Sequence, residues 1–167
     1  MKVFQLLEKN TFMGLLLKGN VFDQFLLSQA SIHTAVNYQI DGRLNTGFYS
    51  EEEISQKQME GLEYMPFREL RPTFFSLIKG KHTPSYFKFV LMLSPFNLQN
   101  TIRSCGTQLS PSDISAAFLT ITYRDSQLLL TTGISYNTFV LDKSFEKEWD
   151  KYAMLFLKKH GIIFSEI

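Results

Sequence analysis

The chain has 167 residues, of which 44% are hydrophobic and 20% are charged. This size and composition are typical of one soluble globular domain with a sizeable core. The formal net charge of +1 excludes a global attraction to nucleic acid or to an anionic membrane, so any such contact requires locally clustered charges.

Cysteine content and apolar run length indicate the cellular compartment. Cys105 is the only cysteine, which excludes an internal disulfide bond and every zinc site built from several cysteines. Glu8 and Lys9 interrupt the apolar N-terminal residues before the hydrophobic core of a signal peptide can form. The longest apolar runs, 89–93 and 152–157, are far shorter than a bilayer span. We therefore expect a cytoplasmic protein without a membrane partner.

Residues 2–49 are predicted to form a β-α-β-β-β unit. Its predicted elements are strands at 3–7, 25–32, 36–40 and 44–49 and a helix at 12–18. Thr11 is placed to cap the helix and Gly19 to end it. Asp41-Gly42 is a good hairpin signal, because both residues tolerate a positive φ.

The middle of the chain is less regular. Ser50 and Glu53 have the spacing of a capping box, so residues 50–60 are predicted to be an exposed helix or a connection between the two halves. Residues 67–80 match neither the helical nor the strand period, and Pro72 fits the first turn of a helix or the start of a strand.

Residues 85–141 repeat the same element order more clearly. The predicted elements are strands at 86–93, 114–123, 128–132 and 135–141 and a helix at 96–105. Ser94-Pro95 is a good start for that helix, because the serine oxygen accepts from free amides and the proline ring presets φ. Gly106 is predicted to end the helix, and Gly133 to turn the chain between the last two strands.

The last predicted helix, 144–160, has acids near its start and lysines near its end, which complement the helix dipole. Its apolar stripe consists of Phe145, Trp149, Tyr152, Ala153 and Phe156. We therefore predict a single α+β domain over residues 1–167. In it, duplicated β-α-β-β-β units (2–49 and 85–141) form antiparallel sheets with helices packed on one side, followed by this C-terminal amphipathic helix.

The strongest local anomaly is a basic stretch with a single acid, Glu69. Its candidate phosphate- or nucleic-acid-binding residues are Arg68, Arg71, Lys79, Lys81, His82, Thr83 and Lys88. Around Gly80, lysine charges, backbone amides and a hydroxyl could hold a phosphate, although the P-loop spacing is missing. The alternative is a solvated turn whose lysines protect a sheet edge from mispairing.

Other candidate chemistry is sparse. Thr131-Thr132-Gly133-Ile134-Ser135 is a hydroxyl-rich turn that fits either a phosphate contact or cross-strand threonine pairs. His33, His82 and His160 are far apart and lack cysteine or paired carboxylate neighbours, so no metal site is predicted. Cys105 falls at a helix C-terminus, which opposes a lowered thiolate pKa. No catalytic motif is present, and neither an enzymatic activity nor a cofactor is predicted.

Three groups of residues together resemble an uncharacterised bacterial family, a domain of unknown function. They are Val21-Phe22-Asp23-Gln24-Phe25-Leu26-Leu27; Arg71-Pro72 with Ile78-Lys79-Gly80-Lys81 and Thr83-Pro84; and Thr132-Gly133-Ile134-Ser135 with Phe139-Val140-Leu141-Asp142 and Trp149-Asp150. The resemblance covers nearly the whole chain and implies no activity.

The duplicated element order separately resembles one domain of a DNA sliding clamp. This is an analogy of architecture, and a fold alone does not give a function. In clamps the helices of each unit face the DNA and carry basic residues. Here the matching helices offer only Lys18 and Arg103, with Lys9 just outside, which departs from the clamp pattern.

Three functions follow from these features. The favoured one is a non-catalytic, clamp-like binding or scaffold module that contacts nucleic acid or a protein partner. The second is a small-molecule or phosphoester enzyme with Arg71, Lys79, Lys81 and His82 around a pocket. The third is a protein-interaction domain with an exposed sheet edge or phenylalanine patch, which includes a homo-oligomer.

Overall fold

Seven antiparallel strands form one sheet in the computed structural model, which describes residues 1–167. The strands are β1 (Val3–Leu6), β2 (Phe25–His33), β3 (Asn37–Asp41), β4 (Tyr86–Leu93), β5 (Ile114–Arg124), β6 (Gln127–Tyr136) and β7 (Phe164–Glu166). Their order across the sheet is β3-β2-β4-β5-β6-β1-β7. The consecutive strands β2 and β3 are neighbours in the sheet, and so are β5 and β6. In contrast, β1 pairs with β6, which is distant from it in sequence.

Five helices connect these strands. They are α1 (Lys9–Leu17), α2 (Glu51–Gln56), α3 (Phe67–Ile78), α4 (Pro95–Ser104) and α5 (Ser144–Lys159), and a 3₁₀ turn spans Pro111–Asp113. Local chemistry sets two of the helix starts: Ser50 and Glu53 form a capping box at α2, and the Ser94 hydroxyl accepts from the Asn97 amide at α4. No helix is both long and apolar enough to traverse a bilayer.

One face of the sheet is buried beneath α1, α3 and α5. In β4 every second side chain, from Phe87 to Leu93, belongs to the core, and the same alternation runs through β5. Phe89 of β4 contacts Phe67 and Phe74 of α3 at ring-centroid distances of 6.3 and 4.9 Å. Phe156 of α5 contacts Phe25 of β2 at 5.6 Å. The many phenylalanines therefore fill this interface between helices and sheet.

Trp149 fixes α5 on the sheet. Its side chain is 0% exposed, its ring stacks on Tyr152 at 4.9 Å, and its indole Nε1 donates to the backbone oxygen of Phe118 at 2.9 Å. The hydrogen bond satisfies the one polar atom that the buried indole carries.

Gly42 allows a second chain segment to insert beside β2. The β2–β4 register shifts between Leu27 and Gln29, and the Gly42 amide donates to the oxygen of Ser28 at 2.9 Å. Met65 then bridges the two segments: its amide donates to Gly42 at 2.8 Å, and its oxygen accepts from Leu27 at 2.9 Å. A Cβ at position 42 would lie 1.9 Å from the Leu27 oxygen, so only glycine fits.

The structure confirms the α+β class, the antiparallel pairing and the C-terminal helix, and it corrects the predicted units. The fourth strand of each unit is wrong, because neither 44–49 nor 137–141 forms a strand. Residues 42–44 instead pair with the 63–66 segment. Gly133 does not turn the chain, since β6 continues through it with Phe118 as its cross-strand partner.

The two halves also occupy the sheet differently. Each keeps the order β-α-β-β, but β4 pairs with β5 whereas β1 pairs with β6 and β7 instead of β2. One sheet replaces the predicted several. The ambiguous stretch 67–80 is mostly the helix α3, with Pro72 inside it.

Replacing Trp149 by alanine is expected to lower the free energy of unfolding by about 3–5 kcal/mol, because a large buried ring and its hydrogen bond are lost. Urea denaturation followed by far-UV circular dichroism measures this, since the variant lacks the only tryptophan. Leu155→Ala on the exposed side of α5 is the control and should cost less than about 0.5 kcal/mol. Equal losses in the two variants would contradict the proposed docking of α5.

Replacing Gly42 by alanine is expected to destabilise the fold by roughly 1–3 kcal/mol, because the added methyl group collides with the backbone of β2. Gly14→Ala is the matched control: apart from its own helix backbone, no atom lies within 4 Å of the place that the new methyl group would take. A helical alanine should stabilise by about 0.5–1 kcal/mol. Denaturation midpoints that move in the same direction for both variants would refute the insertion geometry.

Candidate functional site

The structure neutralises the two arginines of the predicted basic cluster. Arg71 on α3 donates from Nη1 to Oδ1 of Asp23 in a partly buried ion pair. Arg68 donates from Nη2 to the backbone oxygen of Lys57 at 2.6 Å, and its Nε lies 3.9 Å from Oε1 of Glu69. Both side chains therefore hold α3 in place, which leaves little of their charge for a ligand.

The remaining predicted residues fall on two different surfaces. Lys79, at the end of α3, has its Nζ 5.4 Å from the ring centroid of Phe75. Lys81, His82 and Thr83 follow in an exposed loop. Lys88 belongs to β4, next to Phe89, which faces α3. Because neighbouring strand residues face opposite sides, Lys88 lies on the uncovered side of the sheet, apart from the others.

That uncovered side, here termed the open face, is the clearest candidate site. Its central residues are Tyr86, Lys88 and Val90 of β4, Phe118, Thr120, Thr122 and Arg124 of β5, and Leu129, Thr131 and Gly133 of β6. Cross-strand register places Tyr86 beside Arg124 and Lys88 beside Thr122. Of the predicted basic cluster, only Lys88 belongs to the open face. Most of the other central residues of the open face come from β5 and β6, which are distant from β4 in sequence.

A shallow groove runs over the open face. Its volume is about 720 Å³, and all the central residues of the open face line it. A second groove of about 490 Å³ continues from it, shares Ser28 and Phe118, and is bordered by Leu98 and Gln99 of α4. Both volumes fall in the range of ligand-binding clefts.

One end of the groove is cationic. The guanidinium carbon of Arg124 lies 5.0 Å from the ring centroid of Tyr86. On β2, the strand at the other side of Tyr86, the ring centroid of His33 lies 4.8 Å from that of Tyr86. Neither Lys88 nor Arg124 takes part in any of the ion pairs, while Asp125 is the one acid that lines the groove. Two unpaired cations therefore remain available to an anionic ligand.

Threonines occupy the middle of the groove. Thr120 and Thr131 are directly opposite each other on β5 and β6, which confirms the interpretation as a cross-strand pair and shows that 131–135 is strand and not turn. Thr132 faces the core, where its hydroxyl donates to Asp150 and accepts from the Lys2 amide at 2.8 Å. Thr120, Thr122 and Thr131 therefore offer hydroxyl groups to the middle of the groove.

The other end of the groove is apolar. Phe118 lines it, and the Trp149 indole holds the backbone of Phe118 from below. Gly133 is the cross-strand partner of Phe118 and contributes no side chain.

The histidines and the cysteine lie outside this groove. His160 packs edge-on against Phe156 at 4.7 Å, and burial, followed by the charge of Lys159, lowers its pKa. Burial raises the pKa of the Cys105 thiol, in agreement with the expectation that this pKa is not lowered. No three His, Cys, Asp or Glu side chains are grouped in a way that could hold a metal ion.

Sequence reasoning missed Tyr86, Arg124, Thr120 and Thr122. The signal was present in β5, where Phe118, Thr120, Thr122 and Arg124 alternate with Ala117, Leu119, Ile121 and Tyr123. This alternation marks a face whose polar side chains remain uncovered. The sequence pattern does not show that β4 pairs with β5, because helix α4 lies between the two strands along the chain.

A second exposed surface lies between β6 and α5. Phe139 and Leu141 are 90% and 84% exposed on either side of buried Val140. This surface contains two of the most exposed large hydrophobic side chains of the chain.

A family model described as a family of unknown function (DUF5721) matches residues 15–165. No curated protein and no solved structure matches the chain.

Proposed function

The chain belongs to this family of unknown function, DUF5721, so no activity comes to it from relatives, and we propose that it is a non-catalytic module that binds nucleic acid on the open face of its sheet. The observation that carries the proposal is the pair of cations, Lys88 and Arg124, that line the groove without acidic partners.

The charge and chemistry of the groove fit a phosphate backbone. Lysine and arginine neutralise phosphates, while threonine hydroxyls donate to phosphate oxygens. The net charge of the whole chain is only +1, so this local pair, with one acid nearby, supplies the attraction. We further place this function in the cytoplasm of a bacterium, on the grounds of the single cysteine and the family resemblance.

The non-catalytic role is supported by what lines the groove. Its lining contains one carboxylate, Asp125, and neither histidine nor cysteine, so no acid–base pair faces the cations. The alternative enzyme pocket is poorly supported, because Arg71 is paired with Asp23, and Lys81 and His82 lie in an exposed loop.

The proposal keeps the nucleic-acid partner of the sliding-clamp analogy and changes its location. In that analogy the helices contact DNA, yet α1 carries only Lys9, and α4 only Arg103, as basic residues. Lys9 donates to the Ser126 oxygen at 2.7 Å. The open face is therefore better suited to phosphate than the helices.

Removing either open-face cation is expected to weaken binding and to reduce its salt dependence. The measurement is fluorescence anisotropy of a labelled mixed-sequence oligonucleotide between about 50 and about 200 mM salt. Lys88→Ala and Arg124→Ala should each lower the slope of log K against log salt by about 1.

The matched control is the Lys79→Ala/Lys81→Ala double variant, which removes two exposed lysines from the predicted loop. Its affinity and slope should equal those of the wild type if the open face is the site. If the double variant loses affinity while Lys88→Ala and Arg124→Ala do not, the loop is the site. Absent or salt-insensitive binding by the wild type removes the nucleic-acid function.

Exposed Phe139 and Leu141 favour a second candidate function, a protein contact with a second copy of the chain or another protein. Phe139→Asp is expected to shift the sedimentation coefficient toward that of a monomer at concentrations where the wild type associates, because a charge enters an apolar contact. Phe96→Asp is the control, since Phe96 is also largely exposed. A wild type that stays monomeric, or association unchanged by Phe139→Asp, would refute the self-association.

A further inference from the structure

The groove on the open face is amphiphilic along its length. Arg124 and Tyr86 mark the cationic end, whereas Phe118 lines the apolar end. Phe118 and Arg124 are six positions apart in β5, which corresponds to about 20 Å along an extended strand. A ligand that occupies the whole groove must therefore present negative charge at one end and apolar surface at the other.

Double-stranded nucleic acid supplies the negative charge for one end of the groove but not the apolar surface for the other. A duplex turns its phosphates outward and keeps the faces of its bases stacked inside, so it satisfies the cations and leaves the apolar end without a partner. A single strand exposes base faces that stack on aromatic side chains while its phosphates contact basic groups.

Phe118 has open space beside its ring. A Cβ built at Gly133, the cross-strand partner, would have a single neighbour within 4 Å, the Cβ of Phe118 at 3.9 Å. No ring atom of Phe118 lies within 4 Å of that position, and no side chain from Gly133 covers the half-buried ring. The Trp149 indole donates a hydrogen bond of 2.9 Å to the backbone oxygen of Phe118, which fixes the backbone that carries the Phe118 ring.

We propose that the groove selects single-stranded nucleic acid and that one base stacks on Phe118 in the space that Gly133 leaves open. This inference rests on the proposed function and names its ligand: Lys88 and Arg124 hold the phosphates, and Phe118 receives the base.

Filling the space at Gly133 tests the proposal without removing any charge. Gly133→Val places a branched side chain beside Phe118, and valine is favoured in strands, so the thermal midpoint should not fall. Affinity for a labelled single-stranded oligonucleotide should drop about 10-fold, the cost of one lost base stack. The salt slope should stay unchanged, because the variant removes no charge.

Two further variants complete the experiment. Phe118→Leu keeps an apolar side chain but removes the aromatic face, and should reproduce the loss for the single strand even if Gly133→Val fails to fold. Gln39→Val adds a valine to the edge strand β3, outside both grooves, and should bind like the wild type.

The outcomes separate this inference from the proposed function. Equal affinity of the wild type for single strand and duplex, with a slope that depends on Lys88 and Arg124, overturns the selection of single strands and leaves the proposed function standing. Unchanged single-strand affinity in Phe118→Leu and in folded Gly133→Val overturns the stacking site. Absence of binding to either probe removes both.

Discussion

The register of the central strands is the constraint on which the structure depends. Phe87, Phe89 and Leu91 of β4 face the helices because β4 pairs with β5 in one register, and a slip of one residue would turn all of them to solvent. Burial of this phenylalanine-rich face thereby fixes the opposite face as well. The same register that hides Phe89 exposes Lys88, and the one that hides Ile121 exposes Thr120 and Thr122.

The candidate site is therefore a consequence of the core. No loop has to fold around a ligand, because the open face is presented by four adjacent strands, β2, β4, β5 and β6, held from below by α3 and α5. Trp149 links the two sides directly, since it packs in the core and hydrogen-bonds to the backbone under Phe118. Binding groups placed on strands are held more rigidly than groups on loops, which suits recognition with little conformational change.

Local chemistry made several elements predictable from the sequence. The Ser94-Pro95 start of α4, the capping box of α2 and the apolar stripe of α5 all depend on residues within a few positions of each other. The position of β1 beside β6 and the insertion of Met65 next to Gly42 depend on contacts distant in sequence, which no local pattern contains. The predicted basic cluster is divided for the same reason: Lys81 and Lys88 are seven positions apart, yet the start of β4 places Lys81 in an exposed loop and Lys88 on the open face.

Chemical-shift mapping tests the open face as the binding site most directly. A ¹⁵N-labelled sample is titrated with an unlabelled single-stranded oligonucleotide, and the amide shifts are followed along the chain. We predict that the largest changes fall on the open face, at Lys88, Phe118, Arg124 and Gly133, and that the 79–83 loop and the helices change little. Shifts concentrated in that loop or on α1 and α4, or no shifts at all, would contradict binding on the open face.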